Sequence, residues 1–208
     1  MSALISGCGN YRYWLSRASE VPCEPSRKRV LFMMLNPSTA DAEIDDPTIR
    51  RCRGFAKSWG CNGMAVINLY AFRATNPKEL LQCDDPVGID NDFWIQKLAQ
   101  EFGYVVCAWG NNAKQERVDH VLSLLFNVPL MCLGVTKAGM PKHPLYLKSD
   151  TQMVEFQNKY NSPDVPQQTV CPDCNGTGVY ESYSDDLPCH CLQPELNVRP
   201  ESEAQDGK

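Results

Sequence analysis

Two groups of residues in this chain are of types that do chemistry. The first lies where apolar runs stop: Asn36-Pro37-Ser38-Thr39 after "VLFMML", Asn68 inside "MAVINLYAF", Trp109-Gly110-Asn111 after "YVVCA", and His143-Pro144 after "PLMCLGVTKAGMPK". An amide offers a donor and an acceptor together, and burying one without partners costs about 1–3 kcal/mol. Asn68 stands where an apolar residue belongs, which marks it for recognition. The second group is Cys171, Cys174, Cys189 and Cys191 in "CPDCNGTGVYESYSDDLPCHC". Two thiolates separated by two residues grip one tetrahedral metal ion, and a second pair completes a closed site. Gly176 and Gly178 let the chain turn at no steric cost. A structural zinc is expected there, supporting folding rather than catalysis because no position is open to substrate. His190 is the alternative to one of the cysteines.

The elements that must position the first group are legible as alternation. Four short apolar runs, at 30–35, 64–69, 104–109 and 129–134, predict strands buried on both faces. Between them, "DPTIRRCRGFAKSW" predicts a helix with Pro47 in its first turn and Ile49, Cys52, Phe55, Ala56 and Trp59 on one stripe. "DNDFWIQKLAQEF" predicts a second, with Phe93, Ile95 and Leu98 apolar, and "NNAKQERVDHVLSLLF" a third, with Val118, Val121, Leu122 and Leu125 at helical spacing. Strand alternating with helix implies a short, mainly parallel four-stranded sheet with helices on both faces, an α/β fold of three α/β/α layers. The segment "YRYWLSR" at 11–17 is an additional strand candidate for one edge. Ligands of such sheets bind beyond the carboxyl ends of the strands, where the polar residues stand.

Composition bounds the rest. A chain of 208 residues with 43% hydrophobic and 22% charged residues buries one core and a small appendage. The expected organisation is an α/β domain over 1–157, a linker over 158–170, a zinc knuckle over 171–191 and a polar, disordered tail over 192–208. Of the eleven cysteines, seven are scattered through apolar or basic segments, which fits reduced thiols better than a disulfide framework. No apolar run is long enough to span a bilayer, so the expected place is the cytoplasm, with no membrane partner. The formal charge of -5 argues against a nonspecific DNA coat, leaving local basic patches such as "SRKR", "RRCRGFAK" and "KAGMPKH".

The four strand ends resemble, in order and spacing, the motifs of the uracil-DNA glycosylase superfamily. Its first motif, a strand followed by Asp or Asn and a proline, is similar to "MLNPST"; the mismatch-specific branch has Asn-Pro, as here at Asn36-Pro37. Its second, an asparagine that reads a pyrimidine edge, is similar to Asn68 in "VINLYAF". The third resembles "VCAWGNNA", and the fourth, His-Pro-x-x-Leu, resembles "KHPLYL" with His143. From "CGNYRYWL" to "KHPLYL" the chain also resembles the family catalogued as domain of unknown function 1643, and "CPDCNGTG" resembles half of the zinc repeat of DnaJ-class chaperones.

The resemblance implies a DNA glycosylase-like hydrolase that breaks the N-glycosidic bond of an unusual or modified base. Asn36 would hold the water and His143 would donate to the departing base. Asn68 would pair with the base edge, and Phe72 and Tyr70 are the stacking candidates. Leu145 and Tyr146 are candidates to wedge into the vacated stack, and Arg73, Lys137 and Lys142 to bind flanking phosphates. The uracil-specific branch has an aspartate and an aromatic residue where this chain has Asn36 and Ser38. Asp41, Asp45 and Asp46 follow in "ADAEIDDPT" as carboxylates able to fill that role; Asp41 is the catalytic candidate, and capping before Pro47 is the plainer role of Asp45 and Asp46.

Plainer readings stand beside these. Asn36 can end a strand through an Asx-type turn, His143 can be a surface loop residue, and Trp109 belongs in a core. The alternative functions are a non-catalytic nucleic-acid-binding module and an enzyme processing a nucleotide or nucleoside; whichever holds, DNA or a nucleotide is the expected partner, and the knuckle is a candidate contact for a protein partner.

Overall fold

The computed structural model describes residues 2–19, 28–38, 40, 44–76, 79–80, 82–161, 179–180 and 187–188. Asp41 and the four clustered cysteines lie outside these residues.

The strands are β1 (Ser2–Ile5), β2 (Arg12–Arg17), β3 (Val30–Met34), β4 (Met64–Asn68), β5 (Tyr104–Cys107), β6 (Leu130–Cys132) and β7 (Val154–Glu155). They form a mixed sheet of seven, ordered β1-β2-β4-β3-β5-β6-β7. The four apolar runs supply its parallel centre, β4-β3-β5-β6. The sheet is larger than the four strands expected because antiparallel neighbours extend both sides: β2 on β4, β1 on β2, and β7 on β6. The early strand at 11–17 therefore joins as β2, but β1 lies outside it.

All five residues of β3 and of β4 are buried, which explains an apolar character broken only by Asn68 at the end of β4. Alternate residues face opposite layers. Val30, Phe32 and Met34 pack with Ile49, Cys52, Phe55 and Ala56 of helix α1 (Pro47–Ser58). Leu31 and Met33 pack with Ile95 and Leu98 of α2 (Asn91–Glu101) and with Val118 and Val121 of α3 (Gln115–Leu124). The predicted apolar stripes are thus the buried ones, except that Phe93 and Trp59 are only half-buried.

The domain runs past the expected boundary at 157. Asn158 is buried and its Nδ2 donates to the carbonyls of Leu122 and Leu125 at 3.0 and 3.3 Å, covering the end of α3. In the second compact unit, Val179–Tyr180 (β8) pairs antiparallel with Leu187–Pro188 (β9). Among the described residues no helix is long and apolar enough to cross a membrane.

Candidate functional site at the strand ends

The parallel strands run in the spatial order second, first, third, fourth, so the direction in which successive strands are added reverses between β3 and β5. Doubly wound sheets place ligands at that switch point, beyond the carboxyl ends. Here a cavity of about 530 Å³ opens there, lined by Asn36 after β3, Asn68 at the end of β4, Trp109 and Asn111 after β5, and His143 after β6. Its volume lies within the range of about 300–1,000 Å³ typical of small-molecule sites.

Backbone pairing continues past the strands and fixes the walls. Leu69 N–H donates to Met34 O at 2.9 Å, Tyr70 N–H to Leu35 O at 3.0 Å, and Ala108 N–H to Met33 O at 2.8 Å. Asn36 then leaves the sheet. Its Nδ2 donates to Ala74 O at 2.7 Å and Pro37 O at 3.0 Å, while Ala74 N–H donates to Pro37 O at 2.9 Å. This clamp explains the asparagine-proline stop. It also leaves Oδ1 as the free end of the amide, since that atom accepts from no described residue.

Asn68 is different. Its residue is 1% exposed, yet its Nδ2 is buried with no partner among the described residues. The side chain lines the cavity, and no described residue bonds to either of its amide atoms. Trp109 lines the same wall, is 2% exposed, and its Nε1 is likewise without a partner among the described residues. Its ring packs edge-on against Phe156 in the core, as expected for it.

The loop carrying His143 is tied down at several points. Gly110 has a φ of 72° that a side chain rarely adopts, and its N–H donates to Pro141 O at 3.0 Å. Lys142 N–H donates to Gly134 O at 2.9 Å, and Arg51 of α1 donates to Leu147 O beyond the histidine. His143 itself is half-buried, and its Nδ1 accepts from Leu145 N–H at 3.3 Å. In the neutral ring the proton is therefore on Nε2. Burial lowers the His143 pKa, and the nearby Asp46 carboxylate opposes that shift. The neutral form prevails near pH 7.

Of the residues singled out from sequence, Asn36, Asn68, His143, Leu145 and Tyr146 line one cavity. Tyr146 is 88% exposed at its mouth. Tyr70 and Phe72 do not line it. Tyr70 is buried in the core and its hydroxyl accepts from Lys114 N–H at 3.4 Å, while Phe72 packs edge-on against Tyr11. The apolar wall is made instead by Met34, Leu35 and Trp109. Arg73, Lys137 and Lys142 are also outside the lining, and Arg73 Nη1 donates to Gly9 O at 3.1 Å. Asp45 is held in ion pairs with Arg17 Nε at 2.7 Å and Arg53 Nη1 at 2.6 Å. Asp46 caps α1 and lines the cavity.

Sequence reasoning missed Arg12, which is 2% exposed and lines the cavity from β2, its Nη1 donating to Ala40 O. The available signal was an arginine set between Tyr11 and the aromatic pair Tyr13-Trp14. Among the described residues no group of three or more His, Cys, Asp and Glu side chains is arranged to hold a metal ion.

Fold and site together define a doubly wound α/β domain with a polar-edged ligand cavity at its switch point. The chain belongs to the family described as protein of unknown function, DUF1643, whose model matches residues 12–145. That span holds every cavity residue named above except Tyr146. No curated protein and no solved structure matches the chain.

Proposed function

We propose that this protein is a glycosylase-type hydrolase that holds a flat nucleobase in the switch-point cavity and breaks its N-glycosidic bond. The observation that carries the reading is the Asn68 carboxamide, buried in the cavity wall with no described partner. An unmatched buried amide costs about 1–3 kcal/mol, and a ligand edge with its own donor and acceptor removes that cost. Strand ends similar to the uracil-DNA glycosylase motifs, and a three-layer arrangement like that superfamily's, favour a base as the ligand.

Departure of the base leaves an oxocarbenium-like sugar and places negative charge on the base. His143, neutral with its proton on Nε2, is suited to donate a hydrogen bond to that charge without surrendering the proton. Asn36, its nitrogen clamped by two carbonyls, presents Oδ1 as a fixed acceptor for the attacking water. Tyr146, exposed at the mouth beside Leu145, is the residue to press on a neighbouring base when DNA is the substrate. Lys137 and Lys142 are exposed nearby in sequence and remain candidates for phosphate contact.

The test is incubation of the full chain with single- and double-stranded oligonucleotides carrying uracil, mismatches or modified pyrimidines, followed by a search for abasic sites. Release from at least one substrate, lost in Asn68→Ala, is expected. Salt-sensitive DNA binding without release would instead favour a binding module, and tight binding of free nucleotide with indifference to DNA a nucleotide enzyme.

We further propose a structural zinc on Cys171, Cys174, Cys189 and Cys191. The antiparallel pair β8–β9 lies in sequence between the two cysteine pairs and supports bringing them together. About one zinc per chain by elemental analysis, lost in Cys174→Ser, is expected; an absence of zinc refutes it.

A further inference from the structure

Asp45 and Asp46 are adjacent in sequence and different in use. Both oxygens of Asp45 are engaged, Oδ1 by Arg17 Nε at 2.7 Å and Oδ2 by Arg53 Nη1 at 2.6 Å. Asp46 commits only one. Its Oδ1 accepts from Ile49 N–H at 2.8 Å as the cap of α1, which fixes the rotamer. Its Oδ2 accepts from no described residue, the residue is only half-buried, and it lines the cavity that also holds Asn36, Asn68 and His143. Among the described lining residues it is the one carboxylate. The unmatched Asn68 amide in the same wall points independently to a ligand there.

We infer that Asp46 is a catalytic carboxylate of this cavity, taking the proton of the attacking water through Oδ2. The inference rests on the base-release reading. Asn36 can hold a water, but an amide oxygen is too weak a base to accept its proton. A carboxylate does both that and more, because its charge also favours the cationic sugar. In the step, the water oxygen bonds to the anomeric carbon as the carbon–nitrogen bond breaks. The bonding pair leaves on the base, which accepts a hydrogen bond from His143 Nε2 and later a proton from solvent. One water proton passes to Asp46 Oδ2 and then to solvent, leaving a free base and an abasic sugar. The carboxylate that the asparagine-proline motif lacks is thus supplied ten residues later by a helix cap with an oxygen to spare.

The experiment compares full-length wild type with Asp46→Asn and Asp46→Ser on whichever uracil- or modified-pyrimidine oligonucleotide the wild type cleaves. Asn and Ser cap helices about as well as Asp, so folding is preserved. Single-turnover release about 100-fold slower or more in both variants is expected, with unchanged thermal midpoint and unchanged or tighter binding of the same oligonucleotide. Release at the wild-type rate in either variant overturns the role of Asp46 and leaves the base-release reading standing. Equal losses of release and binding make Asp46 structural and also overturn it. A wild type that releases no base from any oligonucleotide of the panel overturns both.

Discussion

Two polar clusters lie at opposite sides of the end of β4, and they are built on different terms. Between α2 and α3, Arg117 Nε donates to Leu69 O at 2.7 Å while its Nη2 meets Asp92, whose other oxygen meets His120 Nε2 at 2.8 Å. Asn91 Nδ2 donates to both Asn68 O and Leu69 O at 3.1 Å, although its Oδ1 is left without a described partner. This cluster fastens helices to backbone. In the cavity, the Asn68 amide, the Trp109 Nε1, the Asn36 Oδ1 and the Asp46 Oδ2 have no partner among the described residues. The first cluster is bonded through nearly all of its groups, and the second gathers several open ones in a single cavity. Unmatched buried groups also occur singly elsewhere, at Trp14 Nε1 and Gln96 Oε1, so it is their convergence on one cavity that marks a candidate site.

That contrast can be broken at several points. The largest effect is expected at Arg117. Arg117→Met leaves the partly buried Asp92 with His120 alone and the Leu69 carbonyl with Asn91 alone, so unfolding free energy should fall by about 2–3 kcal/mol in a denaturant titration. An equal loss of base release per folded molecule would show that the clusters are coupled rather than separate. Next comes acid. Burial alone raises the Asp92 carboxyl, but the hydrogen bonds from His120 and Arg117 outweigh it and bring the pKa to about 2. Because the folded pKa lies below the unfolded one, this stabilisation is complete above about pH 4 and lost as pH falls toward 2. About 2 kcal/mol should disappear across that window, and Asp92→Asn should flatten the pH dependence there. Third, Asp46→Ala should cost about 1 kcal/mol of stability through loss of the α1 cap, whereas Asp46→Asn should cost almost none. The smallest expected signal is His143. Nitrogen-detected NMR should find the Nε2–H tautomer and a titration midpoint below the ordinary histidine value of about 6.5. Since folding disfavours the cation, His143 detracts from stability only as pH falls below that value.

Much of this frame was readable from periodicity. The parallel strands are apolar but for Asn68 because helices cover both faces, and α1 announced itself through Asp46-Pro47 and the stripe Ile49, Cys52, Phe55. What escaped were the edges. β1 and β7 have four and two residues, half-exposed or exposed, with too little pattern to register. The boundary at 157 was misplaced because "NKYNSP" has the composition of a linker, while Asn158 acts through a side-chain cap on carbonyls more than thirty residues away. In the site, Asn36, Asn68 and His143 were legible as polar residues interrupting apolar runs. Tyr70 and Phe72 were legible as aromatic residues beside Asn68, but past the strand end Tyr70 turns into the core and the half-buried Phe72 packs on Tyr11. Asp46 was legible as a cap and as one of three carboxylates following the asparagine-proline motif, but not as the one lining the cavity, because its second oxygen acquires meaning from a site formed by four separate strand ends.

On the proposed reading the Asn68 amide is kept for a ligand and not for the fold. The most direct measurement takes Asn68→Val and determines, on the same preparation, its unfolding free energy and its binding of the oligonucleotide the wild type cleaves. Stability equal to or above wild type, by up to about 1–3 kcal/mol, is expected, with recognition of the base lost. A variant that is destabilised by that amount yet still binds and releases the base as wild type does would contradict that reading.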